Sequence, residues 1–417
     1  MIENAINKIA NHSAPGLDDI CIEHFKFAHP SVIAILKSLF NIFLSLGEVP
    51  SDFGIGLVSP IPKFKGHKIK VEADDFRGIT LNSIVSKKFE NCILPSLNNL
   101  TTSKRQFGFK KGTSCTHALH QLKNTIQCFN KRGHTVNLGL IDIRKAFDKV
   151  SYWGILTLLQ TKLVNPVIVD ILAHWFSNST AVVAWNNCIS APVHLSAGVR
   201  QGGILSPLLF SAFIDGLLID LEKSKLGCNL NGICLNSLLY ADDLLLLSPT
   251  ISDLQLLVER ANSILNDLDL QINFNKSCCL RVGTRFSKNC GLLKINNEPL
   301  VWVQEAKYLG LTISASSHFR CNWRPVKRQF FSAVNRILAS LGSNPNFNVV
   351  LSLFQAACVP ILTYGLSALA LTLSAELHGF SFAYNNLFHK LFKTNNKNII
   401  EQCQFYCSIL LFTHTIF

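Results

Sequence analysis

The sequence predicts a mixed α+β protein, in which an antiparallel sheet with helices on one face is followed by a helical C-terminal region. Hydrophobic residues make up 48% of the 417 residues and charged residues 16%, so the chain can bury a large core. Between residues 135 and 282, apolar runs of strand length alternate with helical patterns. Beyond residue 316 the pattern is mostly helical. A chain of this length exceeds one small core, so we expect two or three subdomains.

The N-terminal part contains patterns for two helices and one strand. A helix is predicted over 31–46, with Ser31 as its N-cap after a proline. The short apolar run at 55–61 predicts a strand, and a second helical pattern covers 82–94.

The middle of the chain begins with a strand and a helix. The run 135–141 predicts a buried strand that delivers Asp142 at its end. A helix is predicted over 151–163, stopped before a proline. The runs 180–185 and 188–195 flank two asparagines, which is typical of a β-hairpin turn.

The next segments complete a recognisable order of elements. A helix is predicted over 206–223, because a serine N-cap is followed by proline at the first helical position. A hairpin follows at 238–247, then a helix capped by Ser252, and a strand at 277–282. The apolar residues of this helix, from Leu254 to Leu265, share one face. When the 180–195 hairpin is set aside, this order matches a split βαβ arrangement.

Composition suggests a class of binding partner and a cellular compartment. The formal charge of +13 suggests a polyanionic partner, although a solvated basic surface would give the same value. The 14 cysteines are scattered, which favours free thiols in a reducing compartment over a secreted disulfide framework. The N-terminus lacks a basic segment followed by an apolar run, so we expect no signal peptide and no secretion.

Two further segments invite a specific assignment. The apolar run 351–372 is interrupted by polar residues and by Pro360, so buried helices are favoured over a membrane span. Cys403, Cys407 and His414 lack a fourth zinc ligand, so they give only a weak metal-site hypothesis.

Three aspartates lie where predicted strands end or turn. Asp142 closes one apolar strand, and Asp242 and Asp243 occupy the tip of the later hairpin. If these strands are neighbours in one sheet, three like charges meet and require a cation. Two Mg²⁺ ions about 3.5–4 Å apart would then suit phosphoryl transfer. The alternative is a structural turn, because Asp favours turns in any protein.

A series of short segments resembles one known family in order and spacing. The segments are 13–18, 75–81, 106–109, 112–114, 142–148, 198–207, 240–243 (Tyr-Ala-Asp-Asp), 273–277 and 307–310. Together they resemble the reverse transcriptases of non-LTR (LINE-like) retrotransposons of the jockey and CR1 type. The resemblance implies that Asp142, Asp242 and Asp243 are catalytic and ligate two Mg²⁺ ions, for which Mn²⁺ is a substitute. The backbone carbonyl of Ile143 would be a further ligand.

The same resemblance implies a nucleotide pocket. Phe147 would lie under the incoming sugar and exclude a 2′-hydroxyl by its bulk, or it is an ordinary core residue. Gln201 and Gly202 would form the floor, where glycine lets the backbone approach closely. Arg77 and Lys63 would reach the triphosphate, unless they are only surface charges.

A fourth palm motif, at 273–277, resembles the family at Lys276. This residue would protonate the departing pyrophosphate, or it binds phosphate or is simply exposed. The fold implied is that of a right-hand polymerase. It has an N-terminal extension and fingers at 1–120, a split βαβ, ferredoxin-like palm at 121–315 and a helical thumb with an uncertain tail at 316–417. Within the palm range, 150–197 belongs partly to the fingers.

The function implied is that of an RNA-directed DNA polymerase, which extends a primer 3′-hydroxyl with dNTPs on an RNA template. Its partners would be RNA, DNA and dNTPs, without a membrane, in the nucleus or the cytoplasm. We expect a fragment of an element that lacks the endonuclease domain. The alternatives are a catalytically silent remnant that at most binds RNA, an intron maturase, and an RNA-dependent RNA polymerase.

Overall fold

The structure is a computed structural model that describes residues 2–7, 9–63, 71–342, 346–369 and 374–415. Its helices are α1 (Ile2–Asn7), α2 (Ile22–Lys26), α3 (Ser31–Leu46), α4 (Ile84–Ile93), α5 (Cys115–Lys131), α6 (Tyr152–Thr161), α7 (Pro166–Ser177), α8 (Ser206–Lys223), α9 (Ile251–Asp267), α10 (Arg324–Leu341), α11 (Phe347–Leu353), α12 (Val359–Thr363), α13 (Leu366–Leu369), α14 (Ser374–Phe392), α15 (Lys397–Tyr406) and α16 (Phe412–Thr415). Its strands are β1 (Ile55–Pro62), β2 (Phe76–Leu81), β3 (Val136–Arg144), β4 (Thr180–Trp185), β5 (Cys188–Ile189), β6 (Val193–His194), β7 (Asn229–Leu230), β8 (Ile233–Cys234), β9 (Ser237–Tyr240), β10 (Asp243–Ser248), β11 (Gln271–Ile272), β12 (Cys278–Val282), β13 (Leu293–Ile295), β14 (Glu298–Trp302), β15 (Glu305–Tyr308), β16 (Leu311–Ser314) and β17 (Cys321–Asn322). The predicted mixture of helices and antiparallel sheet is confirmed.

The chain forms two compact units, each built from three segments. The first unit comprises Met1–Phe109, Asp142–Lys223 and Arg260–Asn273, and the second comprises Lys110–Ile141, Ser224–Glu259 and Phe274–Phe417. The division into fingers, palm and thumb at the boundaries predicted from the sequence stays a prediction.

The first unit is built on a sheet with the strand order β2–β1–β4–β5, to which β6 adds by pairing with β4. β1 is antiparallel to β2 and parallel to β4. An aromatic cluster lies next to the start of β1, and the ring centroids of its contacting pairs are 5.1–6.3 Å apart. Its members are Phe40, Phe43, Phe53, Phe89 and Trp175. All five side chains are buried, so they fix α3, α4 and α7 against the strand.

Several predictions in this unit are confirmed, one is wrong, and one helix was not predicted. The bounds of α3 are those predicted, but Pro30 is its N-cap and Ser31 is the first helical residue. The hairpin of β4 and β5 turns at Asn186 and Asn187, both with positive φ, as a two-residue hairpin requires. α7 was not predicted from the sequence. Its Pro at the first helical position begins the helix instead of only ending the previous one.

The second unit contains a sheet with the strand order β13–β14–β12–β3–β10–β9. β3 runs antiparallel to β12, from Val136 opposite Val282 to Leu140 opposite Cys278. A Cβ atom on Gly139 would lie 3.6 Å from the Cβ of Leu246 in β10 and 3.4 Å from Leu254 in α9. The missing side chain therefore lets the first turns of α9 pack directly on β3 and β10.

The predicted strand ahead of Asp142 is confirmed, but β3 continues to Arg144, so Asp142 lies inside the strand. The apolar face predicted for α9 is buried at Leu254, with its neighbours along the same stripe. Its predicted cap, Ser252, is wrong. Thr250 lies before the helix, and its Oγ1 accepts the Asp253 N–H at 3.1 Å.

The C-terminal part of the second unit is helical, as predicted. The apolar run 351–372 is broken into α11, a π-helical turn at Phe354–Cys358, α12 and α13, and its last three residues lie outside the described residues. Across the residues that the structure describes, none of the helices is both long and apolar enough to span a bilayer.

Candidate active site

The two adjacent aspartates lie at the β9–β10 hairpin of the second unit. Tyr240 pairs with Asp243 across the hairpin, so the turn itself consists of Ala241 and Asp242. Ala241 has a φ of 57°, a left-handed conformation that residues with a Cβ seldom adopt. Asp242 is half-buried and Asp243 is exposed. The predicted hairpin is confirmed, with the difference that Asp243 is the first residue of β10.

Two phenols lie close to this turn within the second unit. A hydrogen bond with the Cys115 thiol, together with burial, raises the pKa of Tyr240 to about 12. Burial raises the pKa of Tyr308, and the nearby Asp243 carboxylate raises it further. Both phenols therefore stay neutral at neutral pH and add no charge beside Asp243.

Asp142 lies in the first unit, two residues before the end of β3. Its backbone carbonyl accepts the Asn273 N–H at 2.8 Å, and the next residue, Ile143, is buried and pairs with Ile272 of β11. The backbone around Asp142 is thus held by β11, while its side chain is half-buried.

No group of three or more His, Cys, Asp or Glu side chains that could hold a metal ion is found among the described residues. Metal ligation by Asp142, Ile143, Asp242 and Asp243 therefore stays a prediction. The zinc hypothesis for the C-terminal cysteines likewise gains no support in the described part of the chain.

Phe147 follows β3 in a short 3₁₀ turn of the first unit. Its ring stacks on Phe210 of α8 with centroids 4.5 Å apart and planes tilted by 18°. Phe109 meets the same ring edge-on, at 5.7 Å. The Phe147 carbonyl accepts the Val199 N–H at 2.8 Å. The half-buried ring is therefore fixed by two aromatic neighbours and by its backbone.

Gln201 and Gly202 belong to the segment 198–203, here called the glycine loop, which runs between β2 and the Phe147 segment. The Gln201 carbonyl accepts the Thr80 N–H of β2 at 2.8 Å. The Gln201 side-chain amide donates to the Asp148 carboxylate at 3.2 Å. Gly202 has a φ of 130°, and a Cβ there would lie 2.4 Å from the Thr80 carbonyl oxygen. The structure thus brings Gln201 and Gly202 together with the segment that carries Phe147.

The two basic residues predicted to reach a triphosphate, Arg77 and Lys63, differ in their side-chain contacts. Arg77 is exposed on β2, opposite Ile61 of β1. Lys63 is also exposed, but its ammonium donates to the Asp74 carbonyl at 2.9 Å. The Asp74 carboxylate pairs with Lys145 at 2.6 Å, and that ammonium lowers the carboxyl's pKa. Lys63 therefore helps to close the connection between β1 and β2.

The fourth palm residue, Lys276, lies in the second unit, exposed on the turn before β12. Its predicted role at the pyrophosphate stays a prediction. The basic residues at 65, 67, 68 and 70 lie outside the described residues.

Two charged residues that hold the glycine loop were not singled out from the sequence. The Arg200 guanidinium donates to the Phe53 carbonyl at 2.9 Å and also to the Gly54 carbonyl. Glu90 of α4 accepts backbone N–H groups directly after the loop, from Ile204 at 2.6 Å and from Leu205. The sequence signal for Glu90 is its position beside Phe89 on the buried side of a helix, because a buried charge needs a partner.

Residues 61–313, more than half of the chain, match the family model described as reverse transcriptase (RNA-dependent DNA polymerase). The probable RNA-directed DNA polymerase from transposon BS of Drosophila melanogaster is 26% identical, over 88% of this chain and 41% of that protein. The RNA-directed DNA polymerase from mobile element jockey of Drosophila funebris is 22% identical, over 90% of this chain and 42% of that protein.

A third relative is the Pol polyprotein of the type-2 retrotransposable element R2DM of Drosophila melanogaster, 25% identical over 76% of this chain and 30% of that protein. The chain therefore spans less than half the length of these relatives. Among solved structures, apo telomerase from Candida tropicalis, truncated from its C-terminal domain, aligns with a TM-score of 0.46 and 13% identity, over 70% of this chain and 60% of that one.

The matched segment includes Asp142, Phe147, the glycine loop and the Asp242–Asp243 turn. The relatives come from transposable elements, which confirms the predicted resemblance to polymerases of non-LTR retrotransposons. The chain belongs to the reverse transcriptase (RNA-dependent DNA polymerase) family.

Proposed function

We propose that this chain is the polymerase part of an RNA-directed DNA polymerase of a non-LTR retrotransposon. It would extend a primer 3′-hydroxyl on an RNA template with dNTPs. The observation that carries the proposal is the β9–β10 hairpin. It presents Asp242 in a strained two-residue turn and Asp243 at the start of a strand, inside the segment matched to the family.

The proposed cofactor is a pair of Mg²⁺ ions held by Asp142, Asp242 and Asp243, with Mn²⁺ as a substitute and with the Ile143 carbonyl as a further donor. Carboxylate and carbonyl oxygens are the donors that these ions prefer, so the chemistry of the residues fits. β3, which carries Asp142, is the neighbour of β10 in the strand order of the sheet, which supports the assignment. When bound, the ions would activate the 3′-hydroxyl and stabilise the leaving pyrophosphate.

The residues of the first unit would bind and orient the nucleotide. The backbone of Gln201 and Gly202 would form the floor on which a base pair rests, and the absent side chain of Gly202 would let the backbone approach closely. Phe147, held by Phe210, would place a rigid ring under the sugar and leave no volume for a 2′-hydroxyl. Exposed Arg77 would donate two parallel hydrogen bonds to a phosphate. Lys63 is a weaker candidate, because its ammonium already has an acceptor.

The test is primer extension by the full 417-residue chain on poly(rA)/oligo(dT) with dTTP and Mg²⁺. We expect extension by the wild-type chain and a loss of at least about a thousandfold in Asp242→Asn, as for removal of one strong electrostatic contribution to a transition state. Asp269→Asn is the matched control, because Asp269 is an exposed turn aspartate with a φ of 59°.

Four results would contradict the proposal. Equal inactivity of wild type and Asp242→Asn would favour a silent remnant. Equal activity of both would show that the turn is not catalytic. A preference for UTP over dTTP would favour an RNA polymerase. Loss of template-primer binding in the wild-type chain, measured by fluorescence anisotropy, would remove nucleic acid as its partner.

A further inference from the structure

The buried carboxylate of Glu90 holds the end of the glycine loop. Neither the sequence motifs nor the family match assigns a role to this residue. Glu90 lies on α4, and its side chain is only 6% exposed. The helix is anchored at its start, where the Ser83 Oγ accepts the Val85 N–H at 3.2 Å. The position of Glu90 is therefore set by a capped helix packed on the aromatic cluster.

The Glu90 Oε2 atom accepts two backbone hydrogen bonds, from Ile204 at 2.6 Å and from Leu205 at 2.8 Å. These amides lie between the glycine loop and the first residue of α8. The first N–H groups of a helix lack intrahelical acceptors, and the helix dipole favours an anion there. One carboxylate oxygen thus ties the end of the glycine loop to the start of an 18-residue helix.

Burial raises the pKa of Glu90, while the amides of Leu205 and Ile204 and the charge of Arg200 act in the opposite direction. The Arg200 guanidinium also donates to the Asn82 side-chain oxygen at 3.2 Å. The carboxylate therefore has two donors and a nearby cation in place of the water it loses on burial.

The space behind the glycine loop is not filled by side chains. A cavity of about 50 Å³ is lined by Glu90, Arg200 and Asn82 together with apolar residues of α7 and α8. The side-chain nitrogen of Asn82 is buried and has no hydrogen-bond partner in the described part of the chain. This volume suits one or two waters, at about 30 Å³ each. Hydrogen bonds, more than packing, therefore fix the loop on this side.

The start and the middle of the glycine loop are held by other hydrogen bonds. Its first amide, from Gly198, donates to the Val150 carbonyl at 2.8 Å, and its middle is fixed by the bond from Thr80 to Gln201. The Glu90 bonds fix the remaining end. If they are lost, the amides of Ile204 and Leu205 lose their acceptor, and the segment is held by the Gln201 bonds, by the Gly203 N–H on the Arg200 carbonyl at 3.1 Å and by the Arg200 side chain.

We propose that Glu90 is a positioning residue for the nucleotide site: its carboxylate holds the end of the glycine loop and thereby sets the backbone of Gln201 and Gly202 on which the incoming nucleotide rests. The inference depends on the proposed function of that loop. It assigns to Glu90 no contact with the nucleotide, and it predicts an effect on nucleotide affinity that exceeds the effect on turnover.

The test compares Glu90→Gln and Glu90→Ala with Asn91→Ala, a control at the next position of α4 whose side-chain amide donates to the Lys87 carbonyl of its own helix at 3.1 Å. Primer extension at varied dTTP gives KM and kcat. We expect KM to rise about tenfold in Glu90→Ala and about threefold in Glu90→Gln, which keeps one neutral acceptor oxygen. kcat and the Kd for template-primer should stay within about twofold of wild type. Asn91→Ala should leave all three values unchanged.

Hydrogen exchange adds a readout that does not need activity. The amides of Ile204 and Leu205 should exchange faster in Glu90→Gln than in wild type, while those of β1 stay unchanged. If Glu90→Ala does not fold, Glu90→Gln decides alone. An unchanged KM for dTTP, equal falls in kcat and primer affinity, or unchanged exchange at 201–205 would overturn the inference. A wild-type chain without polymerase activity would instead refute the proposed function, and exchange would still test the contact.

Discussion

A single methyl group at Gly202 should damage the proposed nucleotide site without changing any side chain that we propose to be catalytic. The φ of 130° is one that residues with an L side chain rarely adopt, and the added Cβ would lie 2.4 Å from the Thr80 carbonyl oxygen. The obstacle is a backbone atom of β2, so no side-chain rotation can relieve it. Gly202→Ala therefore has to displace the glycine loop, the strand, or both.

The size of the effect follows from these two contacts. Contacts under 3.0 Å are essentially never seen for real Cβ atoms, so a shift of at least about 0.6 Å is needed. Backbone strain costs about 1–3 kcal/mol, and overpacking costs about 1–3 kcal/mol more. The bond from the Thr80 N–H to the Gln201 carbonyl, 2.8 Å in the wild-type chain, lies in the displaced region. We expect at least about a tenfold rise in KM for dTTP, since about 1.4 kcal/mol is tenfold in affinity.

Gly216→Ala is the matched control for this experiment. Gly216 is exposed in α8, and a Cβ there meets nothing within 4 Å. The substitution should raise the free energy of unfolding by about 0.5–1 kcal/mol through helix propensity and leave KM unchanged. The measurements are dTTP titrations in primer extension and urea unfolding of all three chains. A Gly202→Ala chain with wild-type KM and wild-type stability would refute the steric reasoning.

Three further predictions concern the ring, the buried lysine and the missed helix. Phe147→Val should raise incorporation of UTP relative to dTTP by at least about tenfold, because the ring that would fill the 2′ position is shortened; an unchanged ratio in competition assays would make Phe147 a core residue only. Burial lowers the pKa of Lys88 from 10.5 to about 8, so the unfolded chain holds this proton to higher pH and folding stability rises between those values. Relative to Lys88→Met, the wild type should therefore gain about 1 kcal/mol in urea unfolding from pH 7 to pH 9, and a constant difference would contradict this. Asn165→Ala should cost about 1 kcal/mol in thermal unfolding, because the Asn165 side chain caps α7 through the Val167 N–H at 2.9 Å; no loss would mean that the cap is not needed.

Local chemistry explains which elements could be read from the sequence. The Asn-Asn turn, the serine and proline at the start of α8, and the apolar face of α9 each specify their geometry within a few residues. The aspartate pair was found in the same way, because two apolar runs bracket a tight turn. Errors of one or two residues at caps and strand ends, as at Ser31 and Ser252, arise because several neighbouring residues can serve as caps.

Long-range contacts explain what the sequence could not show. The sequence gives Lys63 no evident partner, but its ammonium donates to the Asp74 carbonyl at the other end of the connection between β1 and β2. Pro166 reads as a helix stop, while the chain uses it to start α7. The partners of Glu90 lie more than a hundred residues away, so no spacing rule within α4 could indicate them.

Variation at the residues that support the glycine loop should act differently from variation at the aspartate turn. The glycine loop draws its hydrogen bonds from four separate places in the chain: β2 at Thr80, the Phe147 segment, the Arg200 acceptors at Phe53, and α4 at Glu90. Each place offers one to three bonds, so no single neighbour determines the loop conformation. Substitutions at these supporting residues should therefore change nucleotide affinity in small graded steps. Substitutions at Asp242 should instead abolish turnover, because a carboxylate proposed to hold a catalytic metal has no partial substitute.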